Sequence, residues 1–120
     1  MVALRITHWI FTGLFSLLML FSASMYFFNY EEIVVAFEHL HFPSWIIYPL
    51  AVLKLLGVLT LLLKFKEWIV EFAYAGFYFN ILLAFGAHVG VSDGEQEGAL
   101  VAFILLTGSF VTYRLMRRAR

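Results

Sequence analysis

Four long apolar runs organise this chain, and the polar residues collect between them. Setting the run boundaries where charges begin predicts helices over about Thr7–Phe28, Ser44–Leu63, Glu67–Val89 and Gly98–Leu115. Each run reaches or approaches the roughly 20 residues that a helix needs to cross a bilayer core. The pattern predicts an all-α membrane protein, a single domain over residues 1–120 built as a four-transmembrane-helix bundle. The first run has a competing reading. Arg5, an apolar stretch and "SAS" at Ser22–Ser24 have the order of a cleaved signal peptide. The apolar character continues through "MYFFNY", which favours a retained span.

The first connection is patterned too. In "NYEEIVVAFEHLHFPSW", Ile33, Val34, Phe37 and Leu40 recur near helical spacing with acids between them. This predicts a short amphipathic helix lying at the membrane interface between the first two spans. Its roles would be a lid over the bundle or a gate to a lateral entrance. Pro43 would end it, and Ser44 is placed to cap the second span.

Composition agrees with the pattern. The chain is 63% hydrophobic and 13% charged, with a mean hydropathy of +0.92. Soluble domains are nearer half apolar and a quarter charged. Charge distribution then predicts topology. Arg5, Lys64, Lys66, Arg114, Arg117, Arg118 and Arg120 fall at the two ends or in the second connection. Glu31, Glu32, Glu38, Asp93, Glu95 and Glu97 fall in the other two connections, which hold no Lys or Arg. Short basic loops stay in the cytoplasm, so both termini are expected inside. The net charge of zero points away from nucleic acid. With no cysteine, the chain cannot carry thiol–disulfide chemistry or thiolate-held clusters itself.

Lys54 breaks the pattern, standing at the middle of "IIYPLAVLKLLGVLTLLL". A charge at that depth is costly, so it is expected to face inward and find a partner. The third span offers candidates. At about 100° per residue, Ala73, Gly76, Asn80, Ala84 and Ala87 share one face, flanked by Tyr74 and His88, with Glu71 opposite. Small residues allow close helix approach in lipid, so this face is expected to point into the bundle. Lys54 is then expected to meet Asn80 and Tyr74, with Gly57 opening room one turn away. Glu71 would pair near the cytoplasmic edge with Lys64, Arg114 or a headgroup, a Lys54–Glu71 ion pair being the alternative. The expected polar cluster or ligand site is Lys54, Tyr74, Asn80, Gly57, Gly76, Glu71 and His88.

Other chemistry is sparse. His39, His41, His88 and Asp93 share the outer side and have the ligand types of a zinc or copper site. His39 and His41 are two apart on a helix and chelate poorly together, so no metal is expected. His8 is expected at the membrane interface with Trp9, and Trp45, Trp68, Tyr30 and Tyr48 as interfacial anchors. No phosphate-binding glycine loop, GxSxG, HExxH or haem-bracketing histidine pair is present. "GVSDGEQEG" lacks the ligand spacing of a calcium loop.

Four stretches in order, "GLFSLLMLFSASMYFF", "HFPSWIIYPLAVLKLLGVLTLLL", "KEWIVEFAYAGFYFN" and "AHVGVSD", resemble the DoxX-like family of small membrane proteins along nearly the whole chain. The resemblance implies a four-helix bundle with its termini inside. It draws attention to Lys54, Gly57, Glu71, Tyr74, Gly76, Asn80, His88 and Asp93, which match the family's recurring positions. The family pattern often has Asp where this chain has Asn80, which cannot ionise, and Gly where it has His41. Some members look like membrane subunits of thiosulfate:quinone oxidoreductases, others accompany redox or metal-handling enzymes, and distant relatives resemble receptor chaperones. The expected function is therefore an accessory or membrane subunit of a quinone-linked redox system. It would bind a quinone or another lipophilic ligand in its bundle, carry no intrinsic cofactor and not be an enzyme by itself. A chaperone or scaffold for a protein partner, or a homodimeric transporter of a lipophilic compound, is the alternative.

Overall fold

A computed structural model describes residues 2–64, 66–91 and 97–118. Among them run five α-helices: α1 (Val2–Phe28), α2 (Tyr30–His39), α3 (Ile47–Leu63), α4 (Glu67–Val91) and α5 (Glu97–Arg118), with a 3-10 turn at Ser44–Ile46 before α3. Four segments, Val2–Phe28, Ser44–Leu63, Glu67–Gly90 and Glu97–Arg118, are long and apolar enough to cross a membrane. The chain is thus an all-helical four-span bundle, elongated at 46 × 25 × 21 Å. The two outer spans run a few residues beyond their expected limits.

The helices form a ring in which α1 packs on α3 and α5, and α4 packs on the same two. Phe15 of α1 and Phe77 of α4 meet across the middle, edge to face at 4.9 Å. On α3, α4 and α5 a row of buried positions keeps one spacing, with Thr112 buried beside the α5 row. The rows are Ile47, Ala51, Lys54, Val58 and Leu61 on α3, Val70, Tyr74, Phe77 and Ile81 on α4, and Ala102, Leu106, Ser109 and Tyr113 on α5. Steps of four and three residues place one row of each helix against its neighbours, as in coiled coils and most bundles.

The small-residue face of α4 does not lie in that seam. Gly76 is exposed, and Ala73, Asn80 and Ala84 are only half-buried. The bulky row centred on Tyr74 is turned about 90° from it, at 100° per residue. The reason is geometric. A helix touching two neighbours across a bundle corner fills the centre with large side chains, and its small residues border the groove beside it.

The segment between the first two spans is helical, as its spacing predicts. Phe37 is buried and Ile33, Val34 and Leu40 are half-buried, so the expected apolar face of α2 is the packed one. It ends in a Schellman arrangement. The Phe42 N–H bonds the Phe37 carbonyl at 2.8 Å and the His41 N–H bonds that of Glu38 at 3.0 Å, with the Phe37 and Phe42 rings 5.9 Å apart. His41 carries the required left-handed turn at φ 66°. A side chain there costs about 1–2 kcal/mol, partly returned to glycine's freer unfolded state. His41→Gly should therefore stabilise the protein by about 0.5–1 kcal/mol, read as a later midpoint in a detergent-unfolding titration. Ser44 makes no side-chain cap. It opens the 3-10 turn, and Pro43 stands at the N-cap.

Candidate functional site

Two separate polar centres replace the single cluster expected. The first holds Lys54. Its ammonium donates to Ser22 Oγ at 2.7 Å and Tyr26 Oη at 3.0 Å and sits 4.3 Å from the Tyr26 ring centre. Both partners lie on α1, four residues apart and therefore on one face. Lys54 meets neither Asn80, Tyr74 nor Glu71. Axial offsets along the α3–α4 hairpin consider two helices only, whereas Lys54 belongs to the buried row of α3 that also faces α1. Tyr26 in turn packs edge to face on Phe37 at 5.5 Å, which links Lys54 to α2.

The second centre went unseen in the sequence. His8 is 0% exposed, in the core rather than at the interface. Its Nδ1 lies 3.1 Å from the Ser109 carbonyl and 2.9 Å from Thr112 Oγ1. A carbonyl can only accept, so Nδ1 carries the proton. Thr112 spends its own proton on the Gly108 carbonyl at 2.7 Å. With a neutral ring, Nε2 then accepts from Thr12 Oγ1 at 3.4 Å. Thr12 accepts from Ser109 Oγ at 2.5 Å, and Ser109 accepts from Tyr74 Oη at 2.7 Å. One contact thus orients a chain of hydroxyls across α1, α4 and α5. Ser16, one turn beyond Thr12, is buried with no partner for its hydroxyl among the described residues. The available signal was the spacing of His8, Thr12 and Ser16, four residues apart on α1.

Glu71 takes part in neither centre. Its carboxylate pairs with Arg114 at 3.1 Å and Arg117 at 2.8 Å, and Arg117 also pairs with Glu67. These pairs join α4 to the end of α5, as expected for Arg114 and against expectation for Lys64. Lys64 instead donates to the Leu61 carbonyl at 2.9 Å and lies 5.2 and 5.1 Å from the Trp9 and Tyr113 rings. It follows the last residue of α3, in the connection between spans. Burial there lowers its pKa to about 8. The unfolded chain, with a lysine near 10.4, then holds more protons between those values, so stability should rise with pH across that window. Under native conditions Lys64 should reach half-maximal acetylation by acetic anhydride near pH 8, read by peptide mass spectrometry. Labelling that begins only above pH 10 would contradict its burial.

Between α3 and α4 lies a lateral cavity of about 270 Å³. Leu50, Leu53, Leu56, Thr60, Ile69 and Phe72 form its apolar wall, and Lys54, Gly57, Ala73, Gly76, Phe77 and Asn80 complete it. Four of the residues expected to cluster therefore line one cavity. Gly57 contributes differently than expected. A Cβ there would lie 2.6 Å from Phe77 Cζ, so the room it leaves is taken by that ring. A methyl group on the Gly76 Cα would meet nothing within 4 Å, so the groove is open there. The Asn80 amide has no hydrogen-bond partner among the described residues. Tyr74, Glu71 and His88 do not line the cavity. His88 is half-buried near the end of α4. Among the described residues no group of three metal-binding side chains occurs. Asp93 lies outside them, and His39 and His41 are exposed on or just beyond α2.

Four apolar spans arranged in a ring, with polar side chains turned inward, define a small integral membrane helical bundle. A family model described as the DoxX-like family matches residues 10–111, and the chain belongs to that family. No curated protein and no solved structure is detectably similar to it.

Proposed function

We propose that this protein is a membrane binding or accessory subunit that takes a lipid-soluble molecule from the bilayer into the α3–α4 groove. The observation that carries the reading is the cavity itself, apolar along its length, laterally open at Gly76 and bearing two polar groups, Lys54 and Asn80. An amide in lipid with no partner is costly, and a hydrogen-bonding ligand would relieve it. A quinone is one such molecule, its carbonyl oxygen accepting from the Asn80 amide. Any electron chemistry would reside in a partner protein, since the chain has no cysteine and no redox-cofactor motif.

The reading extends to the orientation in the membrane. Lys64, Lys66, the end of α5 and the start of α1 share one end of the bundle, tied by the Arg117–Glu67 and Arg117–Glu71 pairs. We place that basic end in the cytoplasm and α2 at the opposite surface.

The test is ejection of the protein from native membranes into a mass spectrometer without delipidation. A bound lipophilic mass is expected on the wild type and not on Gly76→Trp, whose side chain would enter the groove without meeting another atom near its Cβ. A bare wild-type chain, or equal occupancy of both, would refute the groove; a co-ejected protein on the bare chain would point instead to a scaffold acting through the small-residue face of α4.

A further inference from the structure

The electrostatics of the groove restrict its ligand further, an inference that rests on the groove-binding reading above. Lys54 lies near the midpoint of the Ser44–Leu63 span, and only 6% of it is exposed. An ammonium has three N–H donors. Two of them meet the hydroxyls of Ser22 and Tyr26, which are neutral. Among the described residues no carboxylate pairs with it; the ion pairs of Glu67 and Glu71 go to Arg114 and Arg117. A buried cation supplied only with neutral partners is an uncompensated charge in a low-dielectric medium. Lys54 and the unpartnered Asn80 amide line the same cavity. The four-carbon lysine stem gives its head reach toward either flank of α3.

We infer that the ligand of this groove is a lipid-soluble carboxylic acid. Its apolar tail lies along the leucine and phenylalanine wall, and its carboxylate accepts from the Asn80 amide and from the Lys54 ammonium, which turns from Ser22 and Tyr26 toward the groove. The chemistry is a matching of needs. The acid supplies the missing countercharge, and the pair is neutral as a unit inside the bilayer. A neutral quinone answers Asn80 and leaves the ammonium uncompensated. A diacyl phospholipid holds its phosphate at the interface, whereas Lys54 is about ten residues, or about 15 Å at 1.5 Å per residue, from either end of its span.

The test uses the full chain in nanodiscs of phosphatidylcholine. Binding of hexadecanoic acid, its methyl ester and decylubiquinone is compared by titration under native mass spectrometry. The acid should bind about tenfold or more tightly than the ester, as expected for a hydrogen bond to a charged group. Lys54→Gln, which keeps a donor for Ser22 and Tyr26 but no charge, should bring the acid to the level of the ester. Lys54→Arg should keep the preference, and Gly76→Trp should lose all binding. Equal binding of acid, ester and quinone, all lost in Gly76→Trp, would overturn the acid and leave the groove standing. Binding of phosphatidylglycerol in preference to the acid would also overturn it. Acid binding that survives Gly76→Trp would remove both readings. The comparison of acid with ester in the wild type needs no variant to fold.

Discussion

Tyr74→Ala should cost the bundle about 3–5 kcal/mol, the range for truncating a large buried aromatic residue, whereas Tyr74→Phe should cost about 1 kcal/mol or less. The contrast separates two jobs of one side chain. The ring is 1% exposed and packs on Phe110 at 5.1 Å and Tyr113 at 5.6 Å. Alanine leaves a void beside both, and a void inside a close-packed bundle forfeits dispersion contacts that lipid cannot restore. Phenylalanine keeps the ring and removes one donor. Ser109 Oγ then loses the proton it accepted but still donates to Thr12, so no donor is stranded. Hydrogen bonds between membrane helices average about 0.6 kcal/mol, because the unfolded-in-membrane state also finds partners. The measurement is a reversible detergent-unfolding titration followed by circular dichroism. Equal costs for the two variants would show that the hydroxyl chain, and not the ring, holds α4 against α5.

Gly57→Ala should destabilise by about 1–3 kcal/mol, the cost of forcing a methyl group into a filled core, while Gly76→Ala should be neutral or slightly stabilising. Both glycines stand at ordinary helical positions, and alanine raises helix propensity at each by up to about 1 kcal/mol. At Gly57 that gain is overcome. The new Cβ would lie 2.6 and 2.7 Å from two atoms of the Phe77 ring. That ring is only 5% exposed and is held edge to face by Phe15, so it cannot swing aside without disturbing the centre of the bundle. At Gly76 a methyl meets nothing within 4 Å. The same titration checks both. A Gly57→Ala protein as stable as the wild type would mean that Phe77 has another packed position.

Much of the architecture was legible along the chain. Run length set the number of spans, and the α2 segment announced its packed face through Ile33, Val34, Phe37 and Leu40. The pairing of Glu71 with Arg114 followed from its place on the third span. The site was legible only in part. Lys54, Gly57, Gly76 and Asn80 do line one cavity, but the partners of Lys54 sit on α1, and Tyr74 belongs to a second centre around His8. Helical arithmetic places residues around one axis. It does not say which neighbour stands on each side, and a hairpin of two helices is too small a frame for a ring of four.

The sequence by itself determined that this chain is a four-span membrane bundle whose basic residues, Lys54 apart, lie at the two ends or in the second connection, because span length and charge position are one-dimensional quantities. Only the tertiary structure decided which face of each helix turns inward. In water the buried face is the apolar one, so periodicity reveals it. In lipid the outer face is apolar as well, and here His8, Thr12, Ser16, Lys54, Ser109 and Thr112 are inside while Leu17, Phe21, Phe72 and Phe79 are outside. Shape and hydrogen bonding choose the faces, and both arise only once the helices meet.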